Sequence, residues 1–256
     1  MIKLNIQEAD WIKEQTVPYG TSTRNVVMGN IIPAQFDSYC KIFYPFTIFH
    51  DVPATLVPNE QLKKPSHWYF DPQTRKLMAD GKEWVPDELV QRRDKGEGSA
   101  TRWKEMGERY GVTFNNQTEI EAYSNKFKEI GWPENLLFPA EGRLPMPMLS
   151  VVLDILTRYS GGKDSVRLYL IAPNSMGWKD YPKEVVEGRL DEIPDYFDRR
   201  YFIGWLFPPD RSWILHTDTD LHYTVLGGPA PLIDMLVKSP LEVLKCDAST
   251  VIYHKE

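Results

Sequence analysis

Residues 213–223 read WILHTDTDLHY and carry the strongest pattern in the chain. Side chains that can bind a metal recur at every second position, at His216, Asp218, Asp220 and His222. Successive side chains of a β-strand point to opposite faces, so these four would line one face and apolar or hydroxyl side chains the other. The alternation predicts one strand over residues 212–226, with one face on the core and the other facing water, a metal or a partner.

Strands and helices are predicted on either side of this segment. Further strands are expected at 26–32, 165–172, 200–207 and 250–253, where β-branched and aromatic residues dominate. Apolar residues at helical spacing, bounded by Gly or Pro, predict helices at 33–43, 103–110, 118–131, 146–159 and after Gly228. Several helices precede a run of strands joined by short turns. The expected class is therefore α+β, with a largely antiparallel sheet packed against several helices.

The chain is expected to form a single domain over residues 1–256. An irregular inserted segment is predicted at about 51–98, where prolines interrupt every candidate element except a short hairpin near residues 67–70.

Composition excludes several classes of protein. A net charge of −6 argues against a nucleic-acid surface, because phosphate binding needs a basic patch. No apolar run approaches the roughly 18 residues of a membrane span, and residues 1–10 lack the apolar core of a signal peptide. Cys40 and Cys246 have no metal or redox spacing and are predicted to be reduced packing thiols. We expect a cytoplasmic protein with no nucleic-acid or membrane partner.

The polar face over residues 216–222 has three interpretations. All four side chains cannot bind one ion, because the outer members would lie roughly 20 Å apart on a strand. Asp218, Asp220 and His222 can form part of a divalent metal site if a loop residue such as His50, Glu141 or Asp210 completes it. Otherwise the four residues are a solvated strand face, or a surface that binds a partner.

Two glycine-rich segments resemble phosphate-binding loops. Residues 160–165, SGGKDS, match the loop of pyrophosphatases of the PP-loop type, but that loop must follow a strand and open a helix. Here a predicted helix precedes it and a predicted strand follows, which favours a glycine helix stop. Gly227-Gly228-Pro-Ala-Pro231 lacks two backbone donors at its prolines and favours a strand-to-helix turn.

Several segments together resemble an uncharacterised family of bacterial proteins. The resemblance covers most of the chain outside residues 51–98, and its most specific part is a Pro-x-Asp-Arg-x-Trp to Gly-Gly block at residues 208–228. In that family acids stand at the places of Asp218 and Asp220, a small residue at that of His216, and an acid at that of His222. The resemblance implies no activity. Its segments are Gly20-Thr21, Ile31–Tyr39, Pro139–Pro145, Pro208–Trp213, Thr217–Asp220 and Gly227-Gly228.

The sequence contains no complete catalytic set. The preferred interpretation is a non-enzymatic binding protein, of bacterial immunity or defence type, that uses an acidic strand face to meet a basic protein partner. Its binding face comprises His216, Asp218, Asp220 and His222, and no cofactor is required. The alternative is a metal-dependent hydrolase with a divalent ion held by Asp218, Asp220 and His222.

Overall fold

The computed structural model divides the chain into two compact units. The sheet unit contains Met1–Tyr44, Phe114–Glu119 and Ala140–Glu256, and the aromatic unit contains Pro45–Thr113 and Ile120–Pro139. The prediction of one domain over residues 1–256 stays a prediction. The structure describes residues 1–18, 25–58, 68–71, 76–79, 87–142, 144–161, 165–171, 183–198, 203–218 and 221–254.

Secondary structure follows the chain as a mixture of helices and short strands. The strands are β1 (Ile2–Leu4), β2 (Asn25–Val27), β3 (Ser38–Phe43), β4 (Phe46–Ile48), β5 (Leu56–Val57), β6 (Trp68–Asp71), β7 (Lys76–Ala79), β8 (Ser99–Thr101), β9 (Trp132–Pro133), β10 (Leu136–Leu137), β11 (Ser165–Ile171), β12 (Lys183–Arg189), β13 (Ile203–Phe207), β14 (Ile214–Thr217), β15 (Tyr223–Gly228), β16 (Val243–Cys246) and β17 (Val251–His254). The helices are α1 (Asp10–Gln15), α2 (Met28–Ile31), α3 (Asp87–Asp94), α4 (Trp103–Tyr110), α5 (Ile120–Ile130), α6 (Met146–Ser160), α7 (Ile193–Asp198) and α8 (Ala230–Val237).

The sheet unit is built on an eight-stranded sheet in the order β1-β12-β11-β13-β14-β15-β3-β16. Every neighbouring pair in it is antiparallel. The predicted fold class, α+β with a largely antiparallel sheet packed against helices, is confirmed.

One face of this sheet carries the main hydrophobic core. In-register side chains form an apolar row across six strands, which consists of Val186, Leu168, Leu206, Leu215, Leu226 and Cys40. Buried side chains of α6 and α8, such as Leu153 and Leu236, belong to the same cluster. The apolar face of the sheet and the apolar faces of α6 and α8 therefore pack together in one layer.

The opposite face of the sheet is covered as well. Its central row contains Trp205, His216, Val225 and Lys41 in register. The Trp205 indole donates a hydrogen bond to the carbonyl of Ile31 at 3.0 Å. Both His216 and Lys41 are buried. The expectation that this face is exposed to water is wrong at His216.

The predicted helix over residues 33–43 is wrong, because residues 38–43 form β3 between β15 and β16. Phe36, Tyr39, Cys40 and Phe43 have helical spacing, but both faces of a central strand are buried, and such a strand reads as a nearly continuous apolar run. The predicted strand over residues 26–32 is also shorter than expected, since β2 passes directly into α2.

The predicted single strand over residues 212–226 is two antiparallel strands. Ile214 pairs with Gly227 and His216 with Val225, so the chain reverses direction between β14 and β15. The reversal falls within the alternating polar residues. Polar alternation does not distinguish a continuous strand from two strand ends joined by a polar turn.

The other predicted helices are observed at α4, α5, α6 and α8. At the end of α6, Gly161 adopts a left-handed φ of 59°, which favours glycine. Strand β11 begins at Ser165, so a helix precedes the SGGKDS segment and a strand follows it, as the helix-stop interpretation requires. Residues 162–164 lie outside the described part. Likewise β15 leads directly into α8 after Gly228.

The aromatic unit has a different kind of core. A three-stranded sheet, β10-β4-β8, carries Phe46 at its centre. The rings of Trp103 and Tyr123 lie 5.3 and 5.1 Å from that of Phe46 between centroids. The Tyr123 hydroxyl also donates to the Trp103 carbonyl at 2.6 Å. Within the predicted irregular segment, β6 and β7 form the expected hairpin.

No helix in the described ranges has both the length and the apolar character that crossing a membrane requires.

Candidate binding site at the β14–β15 turn

The predicted site residues flank the turn that joins β14 to β15. His216 lies on β14, Asp218 follows the last residue of that strand, and His222 precedes the first residue of β15. Asp220 lies outside the described residues. The structure therefore brings three of the predicted residues to one turn, and they do not line one face of a single strand.

The two ring nitrogens of His216 have different surroundings. Its Nδ1 lies 2.9 Å from the carbonyl oxygen of Gly204 on β13, and a carbonyl only accepts, so Nδ1 carries the proton. The ring stacks on Trp205 with 4.4 Å between centroids. The buried Nε2 has no hydrogen-bond partner among the described residues. Asp218 Oδ2 lies 3.6 Å from it, beyond ordinary hydrogen-bond length.

Glu141 reaches the same turn from a separate segment of the sheet unit. The backbone N–H of Gly142 donates to the carbonyl of Leu221 at 2.9 Å, and that of Leu221 donates to the carbonyl of Asp218 at 3.2 Å. This chain of hydrogen bonds places Glu141 Oε1 3.5 Å from His222 Nε2. The side chain of Glu141 is 65% exposed and that of His222 only 10%. The result is a second imidazole beside a carboxylate.

Of the loop residues predicted as additional ligands, Glu141 lies at the turn. His50 belongs to the aromatic unit. Asp210 lies in the turn between β13 and β14, where its side chain accepts a hydrogen bond from the backbone of Ser212 at 3.0 Å. That is a local cap of the kind expected from Asp in a tight turn.

Three buried hydroxyl groups lie near the same end of the sheet. The Tyr44 hydroxyl is 2.8 Å from Thr224 Oγ1, which is 3.4 Å from Thr217 Oγ1. Burial raises the pKa of the Tyr44 hydroxyl, and the negative charge of Asp218 adds to the increase. Tyr44 therefore stays protonated at neutral pH. Sequence reasoning missed this group, because hydroxyls in apolar strands give no distinctive pattern.

A metal site needs several ligand side chains close together. Within the described parts of the chain, no group of three or more His, Cys, Asp or Glu side chains is arranged to hold an ion. Asp220 is not among the residues searched, so the metal site of Asp218, Asp220 and His222 stays a prediction.

A second polar cluster, which the sequence did not indicate, lies on the same sheet face. Lys41 is fully buried and forms an ion pair with Glu119. Its ammonium also donates to the Val251 carbonyl at 3.0 Å and lies 4.6 Å from the ring centroid of Tyr223. The Tyr223 hydroxyl is 2.9 Å from both Glu119 Oε2 and the Ile252 carbonyl. Lys41 and Glu119 are 78 residues apart, so no local pattern links them.

The cysteines do not contribute to either cluster's chemistry. Cys40 and Cys246 are unpaired, as predicted. Burial raises the pKa of the Cys40 thiol and that of Cys246 to about 11, so both thiols are protonated and unreactive at neutral pH.

No family model matches the chain, and neither the curated proteins nor the solved structures include a significant match. The resemblance to a bacterial family therefore stays a prediction.

Proposed function

We propose that the protein is a binding protein that meets a positively charged protein partner through the acidic turn surface, defined as Asp218, Glu141 and the two histidines beside them. One observation carries the proposal. The hydrogen bonds from Gly142 to Leu221 and from Leu221 to Asp218 gather two carboxylates at one turn, each beside an imidazole.

The chemistry of the surface favours a cationic partner group. Carboxylate oxygens accept hydrogen bonds, and the side chains of Glu141 and Asp218 present them at 65% and 32% exposure. A lysine or arginine side chain supplies N–H donors and positive charge to such acceptors. Glu141 is exposed enough to meet it first.

The net charge of the whole chain also favours a positively charged partner. A net charge of −6 attracts a basic partner at long range and raises the rate of encounter at low salt. Two unpaired thiols fit the reducing cytoplasm, where we place the protein. In the bacterial setting implied by the resemblance, an immunity or defence role is the form of this proposal that we favour.

The test compares two pairs of charge-removing substitutions. Asp218→Asn with Glu141→Gln removes the acidic turn surface. Asp154→Asn with Asp191→Asn removes two exposed carboxylates elsewhere in the sheet unit, where Asp154 pairs with Arg158 and Asp191 with Arg189. Both double variants change the net charge equally.

Binding of an arginine-rich synthetic peptide is then measured by calorimetry at low and physiological salt. We expect at least a tenfold loss of affinity, about 1.4 kcal/mol, in the first pair and less than a twofold change in the control pair. Equal losses in both pairs would mean that only net charge attracts the peptide, and the proposal would be abandoned.

A further inference from the structure

A serine and a histidine meet on the surface of the aromatic unit. Ser99 is the first residue of β8 and pairs in register with Ile48, the last residue of β4. His50 follows two residues after Ile48. Its Nε2 lies 3.1 Å from Ser99 Oγ, and both residues are exposed. The distance is within the range that joins a nucleophilic hydroxyl to its general base.

The backbone before Ser99 is held in one position. Gly98 has a left-handed φ of 84°, and a Cβ there would lie 2.6 Å from the Thr47 methyl group. Both the conformation and the close approach to β4 therefore require glycine. Ser99 is presented from a segment that is packed directly against the strand preceding His50.

One guanidinium group links the segments that carry the two residues. Arg92 binds both carboxylate oxygens of Asp51, at 3.0 and 2.9 Å, and donates to Glu97 Oε2 at 2.7 Å. Its guanidinium carbon lies 4.8 Å from the ring centroid of Phe49. Asp51 follows His50, and Glu97 precedes Gly98 and Ser99. The same side chain thus restrains the loop on each side of the pair.

Asp51 fixes the loop that carries His50. The hydrogen bond from the Arg92 guanidinium lowers the pKa of the Asp51 carboxyl. Asp51 is therefore ionised at neutral pH and keeps its ion pair with Arg92, which holds the residue after His50 in one position.

We infer that Ser99 and His50 form a nucleophile and general base that hydrolyse small activated carboxylic esters. The Ser99 hydroxyl transfers its proton to His50 Nε2 as Oγ forms a bond to the acyl carbon. The bond from that carbon to the leaving alcohol breaks, and the imidazolium returns the proton to the departing oxygen. Water then attacks the acyl-serine with His50 as base, which releases the carboxylic acid and restores Ser99.

Exposure of the pair determines the class of substrate. Both side chains face solvent, so the ester is held in an open site, and the proton from His50 is the assistance that the pair gives to the leaving group. The leaving alcohol must therefore be acidic enough to depart readily. Esters of phenols and other acidic alcohols meet this condition. This activity belongs to the aromatic unit and is independent of the acidic turn surface.

The experiment uses the full chain and an alkyl fluorophosphonate, which forms a phosphorus–oxygen bond to an activated serine and releases fluoride. Mass spectrometry of the wild-type protein should show a single adduct at Ser99. Ser99→Ala should show none, and His50→Gln should react about 100-fold more slowly, as expected for loss of a general base. Ser150→Ala is the matched control, because Ser150 is exposed but its hydroxyl donates to the Met146 carbonyl at 3.0 Å.

The same variants are assayed for hydrolysis of an aryl acetate, which should follow the order of fluorophosphonate labelling. An adduct at another residue, no adduct in the wild-type protein, or equal rates in the wild type and His50→Gln would each overturn the inference. Mapping the adduct in the wild type needs no variant, so the result does not depend on how a substitution affects folding.

Discussion

Two polar clusters lie on the same face of the eight-stranded sheet, one around Lys41 and one around His216. They differ in whether the buried side-chain nitrogen atoms have hydrogen-bond partners among the described residues. His216 and Lys41 stand in one row, on either side of Val225. The Lys41 ammonium has a carboxylate, a carbonyl and an aromatic ring around it. The His216 imidazole has a carbonyl at Nδ1, whereas its buried Nε2 has no hydrogen-bond partner within the described residues.

The difference separates a structural role from a binding role. Buried polar groups are nearly always hydrogen-bonded, and a group that is not needs a reason. The Lys41 cluster ties residues 114–119 and β17 to the sheet, which is a sufficient reason for a buried ion pair. At His216, the buried Nε2 lies 3.6 Å from Asp218, and it is the Asp218 carboxylate, 32% exposed at the turn, that can meet a partner.

The largest expected effect is on the Lys41 cluster. Lys41→Met should lower the free energy of unfolding by about 3–5 kcal/mol, because it leaves the Glu119 carboxylate, only 11% exposed, without its counter-charge. Urea unfolding followed by fluorescence measures the change. Adding Glu119→Gln to Lys41→Met should recover part of the loss. Little loss in the single variant would mean that the ion pair does not hold these segments to the sheet.

A smaller effect is expected when His216 is changed. His216→Phe keeps an aromatic ring against Trp205 but removes the donor to the Gly204 carbonyl, so unfolding should become about 1–2 kcal/mol easier. The same urea experiment compares it with Lys41→Met. A cost as large as that of Lys41→Met would show that His216 is part of a structural network, and the contrast between the clusters would fail.

Sequence reasoning succeeded where local chemistry decides the structure. Helix α6 was predicted because apolar residues recur at helical spacing and glycines follow, and Gly161 does end it with a left-handed conformation. It failed at β3, where the same spacing of Tyr39, Cys40 and Phe43 arises from a strand buried on both faces. The spacing of apolar residues indicates which side chains are buried. When nearly all side chains of a segment are buried, the spacing does not distinguish a helix from a strand.

The candidate site was predicted by residue type but not by geometry. His216, Asp218 and His222 do meet at one turn, but their spacing indicated a single strand. Glu141 was one of several loop residues considered, and only the hydrogen bond from Gly142 to Leu221 selects it. Lys41 and Glu119 were not predicted, because contacts between distant segments depend on how the sheet is assembled.

Asp218→Asn tests whether the acidic turn surface is maintained for binding. The side chain is 32% exposed, and Asn keeps its size and one acceptor oxygen, so the free energy of unfolding should change by no more than about 0.5 kcal/mol. Peptide affinity should fall in the same variant. A loss of stability without a loss of affinity would assign Asp218 to the fold and would contradict its proposed role.

The smallest expected effect is that of added metal, and it separates the binding interpretation from the hydrolase alternative. If zinc binds the folded state, a free zinc concentration of 100 times the Kd would stabilise that state by about 2.7 kcal/mol. We expect Zn²⁺ or Mn²⁺ to change the free energy of unfolding by less than about 0.3 kcal/mol, because the described residues at the turn provide two imidazole–carboxylate pairs and no set of three ligands. Unfolding is measured after chelation and again with each metal, in the wild type and in Asp218→Asn. Stabilisation of the wild type that disappears in Asp218→Asn would instead favour a metal held by Asp218, Asp220 and His222, and His216 would then lie next to a metal ligand.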